Sequence, residues 1–198
     1  YLRETIDSVI CQTLSFAEHI RLILLDDAST DGSFAICEQY QKQYPKQILV
    51  KHYDTNQGVS ALRNEGVRIA GEMGDELITF LDSDDKLADD AMEKTVQYFD
   101  AHEDVFVAAI GIRYFDAYEG EQRLNWRFEK TDVVDIKKDY TYPHYYVGGV
   151  FLRHAVLDEL HFDESLSFWE DALAVNQVIV SQGNDVSAKL QPFFQEIN

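Results

Sequence analysis

Two cysteines, Cys11 and Cys37, are all that the 198 residues contain, and both fall in patterns that read as helical. A disulfide framework is therefore not expected, the usage fits a reducing compartment, and neither residue reads as a catalytic thiol. Long hydrophobic runs are missing too. The longest, Ile20 to Leu25 and Val105 to Ile112, fall far short of the ~20 residues that cross a bilayer, and no signal-peptide pattern opens the chain. Basic residues are scarce: 17 Lys and Arg stand against 36 Asp and Glu, a formal net charge of -19, and no basic run makes a local exception. Nonspecific nucleic-acid binding is disfavoured on that ground. A ligand carrying phosphates would be repelled unless a divalent cation or a few placed arginines reversed the local potential. His144, His154 and His161 lack zinc spacing. There are no repeats, low-complexity tracts or linkers. The first residue is not Met and lies inside a helical pattern, so the chain reads as a piece of a longer polypeptide.

What is present is a core. An apolar content of 45% with 13% aromatics indicates one globular domain, 1–198, with an alternating part at 1–104 and a less regular part at 105–198. Leu2, Ile6, Val9, Ile10 and Leu14 follow helical spacing, and Ile20 to Leu25 is a short apolar run ended by Asp26-Asp27, which predicts a buried strand. Phe34, Cys37, Tyr40 and Tyr44 predict a second helix, Ile48 to Tyr53 a second strand, and Val59, Leu62, Gly66 and Ile69 a third helix. Leu77 to Leu81 is the next strand, followed by a helix lined by Leu87, Met92, Val96 and Phe99. Such alternation predicts an α/β fold with a mostly parallel sheet covered by helices on both faces. Beyond Asp104 the expectations are a strand at Val105 to Tyr114 and a hairpin turn at Tyr118 to Gln122. Phe115 to Tyr146 should be an irregular lobe. A short strand at Val147 to Leu152, a helix at Ala155 to Leu160 and a helix opened by Phe168-Trp-Glu-Asp171 complete the chain.

In parallel sheets ligands sit at the carboxyl ends of strands, and two strands here end in acids: Asp26-Asp27, and Asp82 with Asp84-Asp85. Asp82-Ser83-Asp84 reads either as a solvated turn or as hard oxygen donors for Mg or Mn, whose shells water and phosphate complete. Arg63 is either an exposed helical arginine or a phosphate contact beside a helix start. Glu170 and Asp171 either charge a first helical turn or supply a general base. Asp27 to Gly32 with Glu38 nearly matches a calcium loop, but the segment before it is strand-like rather than helical, which argues against that reading.

In order along the chain, Leu25-Asp-Asp-Ala-Ser-Thr-Asp-Gly-Ser33, Asn56-Gln-Gly-Val-Ser-Ala-Leu-Arg-Asn64, Phe80-Leu-Asp-Ser-Asp-Asp85 and Trp169-Glu-Asp171 resemble the four blocks of the family 2 glycosyltransferases. Each block is weak alone; the ordered set is specific. The resemblance implies a GT-A nucleotide-sugar-binding, Rossmann-like fold and a non-processive, inverting transfer of a sugar from a nucleoside diphosphate donor, a UDP-sugar, to a hydroxyl of a glycan, lipid or wall polymer. It further implies that Asp27 and Asp26 bind the nucleotide base, that Arg63 holds the nucleotide, and that Asp82 and Ser83 lie near the ribose. A divalent metal, Mn or Mg, falls to Asp84 with Asp82 and Asp85, the catalytic base to Asp171, and acceptor orientation to Glu170. The implied location is cytoplasmic, at the inner face of the membrane. A non-catalytic glycan-binding or scaffold module of a larger envelope enzyme is the alternative. The family opens with an apolar strand that this chain lacks before Tyr1, so upstream residues are expected. It also usually has Gly where Ala28 stands, a change tolerated where the local φ is negative.

Overall fold

The structure, a computed structural model, describes residues 1–115, 122–124, 133–134, 147–181 and 188–197. The apolar stripe at the start becomes α1 (Leu2–Ile10), with Ile6 and Val9 buried. It stops short of Leu14 because its next residues are recruited elsewhere. Thr13 N–H donates to the Asp89 carbonyl (2.8 Å), and the Gln12 side chain is held by the 88–92 segment. A single turn, α2 (Phe16–His19), leads into β1 (Leu22–Asp27). After α3 (Ser33–Gln43), β2 (Ile48–Tyr53) pairs parallel to β1 from Leu22↔Ile48 to Asp27↔Tyr53. Asp26 and Asp27 are thus the last two residues of the strand, paired with His52 and Tyr53, as the sequence indicated. Alternation sends their carboxylates to opposite faces.

After α4 (Val59–Met73), closed by Gly74 in the left-handed region, the chain builds a seven-stranded sheet. Its order is β3 (Leu77–Thr79), β8 (Val150–Arg153), β5 (Val107–Phe115), β9 (Ala188–Ile197), β4 (Lys86–Leu87), with β6 (Gln122–Leu124) on β5 and β7 (Val133–Val134) on β9. Among the described residues only β5·β9 is parallel in this sheet and its other pairs are antiparallel, so parallel pairing marks β1·β2 while the larger sheet is mixed. The cause is the loss of strand–helix alternation after α5 (Ala91–Ala101): antiparallel neighbours need no crossover helix. β5 and β6 pair antiparallel, with Phe115 opposite Gln122, while most of the turn expected at Tyr118 to Gln122 and most of the 115–146 lobe lie outside the described residues. The helix expected over Ala155 to Leu160 is a 3-10 helix, His154–Glu159, and α6 spans Glu170–Ser181.

Both faces of the larger sheet are buried. Val107, Ala109, Val150 and Leu152 pack with α6 residues Ala174, Val175 and Val178, while the intervening Ala108, Ile110 and Phe151 pack with Ile6, Phe99 and Leu87. This alternation is what helices on two sides of a pleated sheet require. Arg153, at the end of β8, ties the sheet to α5: its guanidinium lies over Phe99 and donates to the carbonyls of Phe99 and His102 at the end of α5 and of Val105 just beyond it. Among the described residues no helix is long and apolar enough to cross a membrane.

Two local features yield predictions. Ala28 adopts φ 58, so its backbone is left-handed and the negative φ under which alanine is tolerated there is not met. That conformation costs an L-residue roughly 1–2 kcal/mol, against about 0.5–1 kcal/mol for the extra entropy a glycine loses on folding. Ala28→Gly should therefore raise stability slightly, by up to about 1 kcal/mol in urea unfolding, and Ala28→Val should lower it by more than that.

Glu65 on α4 receives Arg68 (2.7 and 2.8 Å) and Lys51 of β2, joining helix to strand. These partners, Arg68 foremost and then Lys51, hold its carboxyl down to about 2 against the opposing effect of burial. A depressed carboxylate stabilises the fold fully above its unfolded value near 4.5 and loses that contribution as pH falls toward 2. Because both cations are half exposed, the contribution is about 1–2 kcal/mol. Glu65→Gln should flatten the acid limb of a stability–pH curve and leave the shape above pH ~5 unchanged.

Candidate active site

At the end of β3 the chain passes Phe80 and Leu81 into a turn in which Asp85 N–H donates to the Asp82 carbonyl (3.1 Å). Asp84 and Ser83 are exposed, Asp82 is half-buried, and Asp85 is enclosed at 2% exposure. The turn is stitched down by the polar face of α1. Thr5 Oγ1 donates to the Ser83 carbonyl (2.8 Å), Ser8 Oγ accepts from Leu87 N–H (3.2 Å), and Gln12 both donates to the Ala88 carbonyl (2.8 Å) and accepts from Met92 N–H (3.0 Å). Thr5 and Ser8 fall at i and i+3 on one face of α1, and Gln12, just past its end, continues that line, so this side of the segment is committed to the acidic loop. The sequence carried that stripe, but polar residues at helical spacing ordinarily face water.

Arg63 joins this turn to α6. It sits in the second turn of α4, 9% exposed, with its guanidinium 5.6 Å above the Phe162 ring. Nη2 donates to Asp82 Oδ1 (3.3 Å) and Nη1 to Glu170 Oε1 (3.1 Å). Three residues singled out from separate blocks of sequence therefore meet at one buried cation. The neighbouring Asn64 grips the approach to α6: its Nδ2 donates to the Phe162 carbonyl (2.9 Å) and its Oδ1 accepts from Phe162 N–H (2.8 Å). Asn64 stood inside a recognised block without a role, and its two-sided bond to a distant backbone has no local sequence signal.

Asp171 follows Glu170 in the first turn of α6, half-buried, where the helix dipole favours negative charge. Its Oδ1 accepts from Ala172 N–H (2.7 Å). The residue before this pair, Trp169, has φ 68, and its carbonyl accepts from Leu173 N–H (2.9 Å) at the helix start.

Asp26 and Asp27 form bonds away from the Arg63 cluster. Both Asp27 oxygens accept backbone protons, from Gln57 N–H (2.6 Å) and Gly58 N–H (2.9 Å), so the carboxylate itself takes donors at the entrance of α4 that the sequence offered to a phosphate. Asp26 is buried on the α3 side, where its Oδ2 pairs with His52 Nδ1 (2.7 Å) and accepts from Ser29 N–H (3.3 Å) beneath the Phe34–His52 stack. Nearby Cys37 is buried, and burial first, with the Asp26 charge second, pushes its thiol up to about 11. It is inert as a nucleophile.

Among the described residues no group of three or more His, Cys, Asp or Glu comes together as a ready cation cage. The donors that do project from the turn are two carboxylates one residue apart, Asp82 and Asp84. That set fits a Mg or Mn ion whose remaining positions belong to water and ligand phosphate, and it does not fit a closed structural site.

The chain has relatives among known proteins. The family model Glycosyl transferase family 2 matches residues 1–161. The chain is 41% identical over 184 residues to the minor teichoic acid biosynthesis protein GgaA of Bacillus subtilis (strain 168), covering 92% of this chain and 41% of that protein. It thus spans less than half the length of that relative. Among solved structures it resembles S. aureus TarS (TM-score 0.82, 21% identity, all of this chain and 34% of the other). It also resembles the mannosyltransferase PcManGT of Pyrobaculum calidifontis in complex with GDP-Man and Mn2+ (TM-score 0.70, 15% identity, 98% and 52%). At these identities the likeness carries the fold, which is the GT-A arrangement expected from the sequence.

Proposed function

Because this chain belongs to glycosyl transferase family 2, we propose that it is the catalytic domain of an inverting enzyme that moves a sugar from a nucleoside diphosphate sugar, a UDP-sugar, to a hydroxyl of a teichoic acid or related wall polymer. The observation that carries this reading is the Arg63 bridge, which holds Asp82 of the acidic turn and Glu170 of α6 on one guanidinium. A donor at the turn and an acceptor at α6 are then neighbours, which is the proximity that group transfer demands. The wall-polymer acceptor comes from the likeness to GgaA, whose name assigns it to minor teichoic acid biosynthesis.

In this mechanism Asp171 removes the proton from the attacking hydroxyl, and Glu170, fixed by Arg63, orients that acceptor. Asp84 and Asp82 would hold a divalent cation, with Asp85 enclosed beneath them, and Ser83 sets the spacing of the pair. When bound, such an ion neutralises the departing diphosphate. Arg63 keeps positive charge beside Asp82 in a strongly acidic molecule, easing the approach of the nucleotide. Asp27 serves base recognition by fixing the Gln57–Gly58 turn, and Asp26 supports the same strand end from the opposite face. Attack opposite the leaving group inverts the anomeric centre.

The test is a screen of nucleotide sugars against the full-length protein with teichoic acid acceptor, with and without Mn, scored by nucleoside diphosphate release and by the anomeric configuration of the product. Mn-dependent release with inversion is expected. No release from any donor would overturn the reading in favour of a non-catalytic glycan-binding module.

A further inference from the structure

The segment Asp163 to Trp169 delivers two aromatic side chains to the surface immediately before the acidic turn of α6. Phe168 is 78% and Trp169 62% exposed, with Leu166 and Leu173 on either side in the sequence also reaching solvent. Leaving large aromatics in water forgoes burial that their side chains would otherwise gain. Trp169 bears a second cost, because φ 68 is an outlier for a bulky residue. Two independent costs thus fall at the position that precedes Glu170 and Asp171.

The charges nearby select the ligand class. Residues 163 to 171 hold Asp163, Glu164, Glu170 and Asp171 and no Lys or Arg. Arg63, on the inner side, is buried and bonded to Glu170 and Asp82. Phosphate is repelled by such a surface. A neutral sugar ring is not: its C–H face stacks on an aromatic ring and its hydroxyls donate to carboxylates.

We propose that Phe168 and Trp169 are a stacking platform for a neutral sugar ring of the acceptor, set so that one of its hydroxyls lies at Asp171. This rests on the glycosyltransferase reading. The acceptor ring is assigned, not the donor's, because the platform adjoins the proposed base, whereas the donor's diphosphate belongs at Asp82 and Asp84.

The experiment uses the full-length protein with a donor and a teichoic acid found active in the screen, comparing Phe168→Ala, Trp169→Gly and Trp169→Phe. Glycine adopts φ 68 without strain, so Trp169→Gly should melt no lower than the parent. The acceptor KM should rise about tenfold in Phe168→Ala and Trp169→Gly and recover in Trp169→Phe, in keeping with the usual strength of aromatic contacts. Donor KM and donor hydrolysis without acceptor should stay within about twofold. A full-length protein in which every tryptophan but Trp169 is replaced by Phe should shift its emission on addition of the polymer. Acceptor KM values unchanged in folded variants, or an unmoved emission, would overturn the platform alone. A parent protein that releases no nucleoside diphosphate would overturn the glycosyltransferase reading and the platform with it.

Discussion

Asp171→Asn is expected to lower sugar transfer by roughly 10²–10⁴-fold, the range that removal of a general base produces, while leaving the melting temperature almost unchanged. The structure explains why the fold survives. Asp171 Oδ1 accepts the Ala172 N–H at 2.7 Å, and asparagine retains an oxygen able to accept the same proton. What the variant loses is basicity. It should still bind donor with Mn, which equilibrium binding of the nucleotide would show. Asp84→Asn should fail differently: Asp84 is exposed at the tip of the acidic turn, and the loss of its charge should weaken the Mn-dependent binding of nucleotide. Near-normal transfer by either variant would sink the role given to that residue. Matching donor affinities in the two variants would show that the base and the cation site have not been told apart.

Arg63→Met should destabilise the protein by about 3 kcal/mol, at the low end of the cost of breaking a buried ion pair from one side. The reason for choosing the low end lies in its partners. Glu170 has a side chain only 14% exposed and would be left without its cation, but Asp82 at 37% exposure can turn toward water. The methionine stem also replaces part of the packing on Phe162. A second change, Glu170→Gln, made in the Arg63→Met background should return part of the stability, since it removes the stranded charge. Arg63→Lys should fall between, because one ammonium cannot fork to Asp82 and Glu170 together. Urea midpoints of the four proteins measure this directly, and an Arg63→Met midpoint equal to the parent's would remove Arg63 from its bridging place.

Much of the architecture could be read before any coordinates. Strands at Ile48 to Tyr53 and from Leu77, and helices starting at Val59 and near Ser33, were set by local apolar spacing and by Gly and Pro at their ends, which act over a few residues. The ordered acidic blocks pointed to a candidate site, and the structure brings Asp82, Arg63 and Glu170 from three of them together. What stayed illegible depends on distant partners. Asp26 and Asp27 were rightly read as a strand terminus, but their pairing with His52 and Tyr53 parts their side chains, which the sequence did not show. β9 was not anticipated because Pro192 interrupts its pattern. The ladder with β5 accommodates it by shifting register, so that Ile110 faces Gln191 and Gly111 faces Phe194, leaving Pro192 outside the pairing. The two-residue β4 is too short to announce itself and exists because β9 lies beside it.

The bonds from α1 to residues 83–92 also govern how the molecule opens. Leu87 and Met92 give their amide protons to Ser8 and Gln12, and Thr5 holds the Ser83 carbonyl, so the acidic turn cannot loosen while α1 stays in place. The first helix and the acidic turn, some eighty residues apart in sequence, therefore form one cooperative unit of local unfolding. Their amides should exchange with solvent at a common rate, and a lesion in α1 will be felt first where the donor's phosphates are to be received.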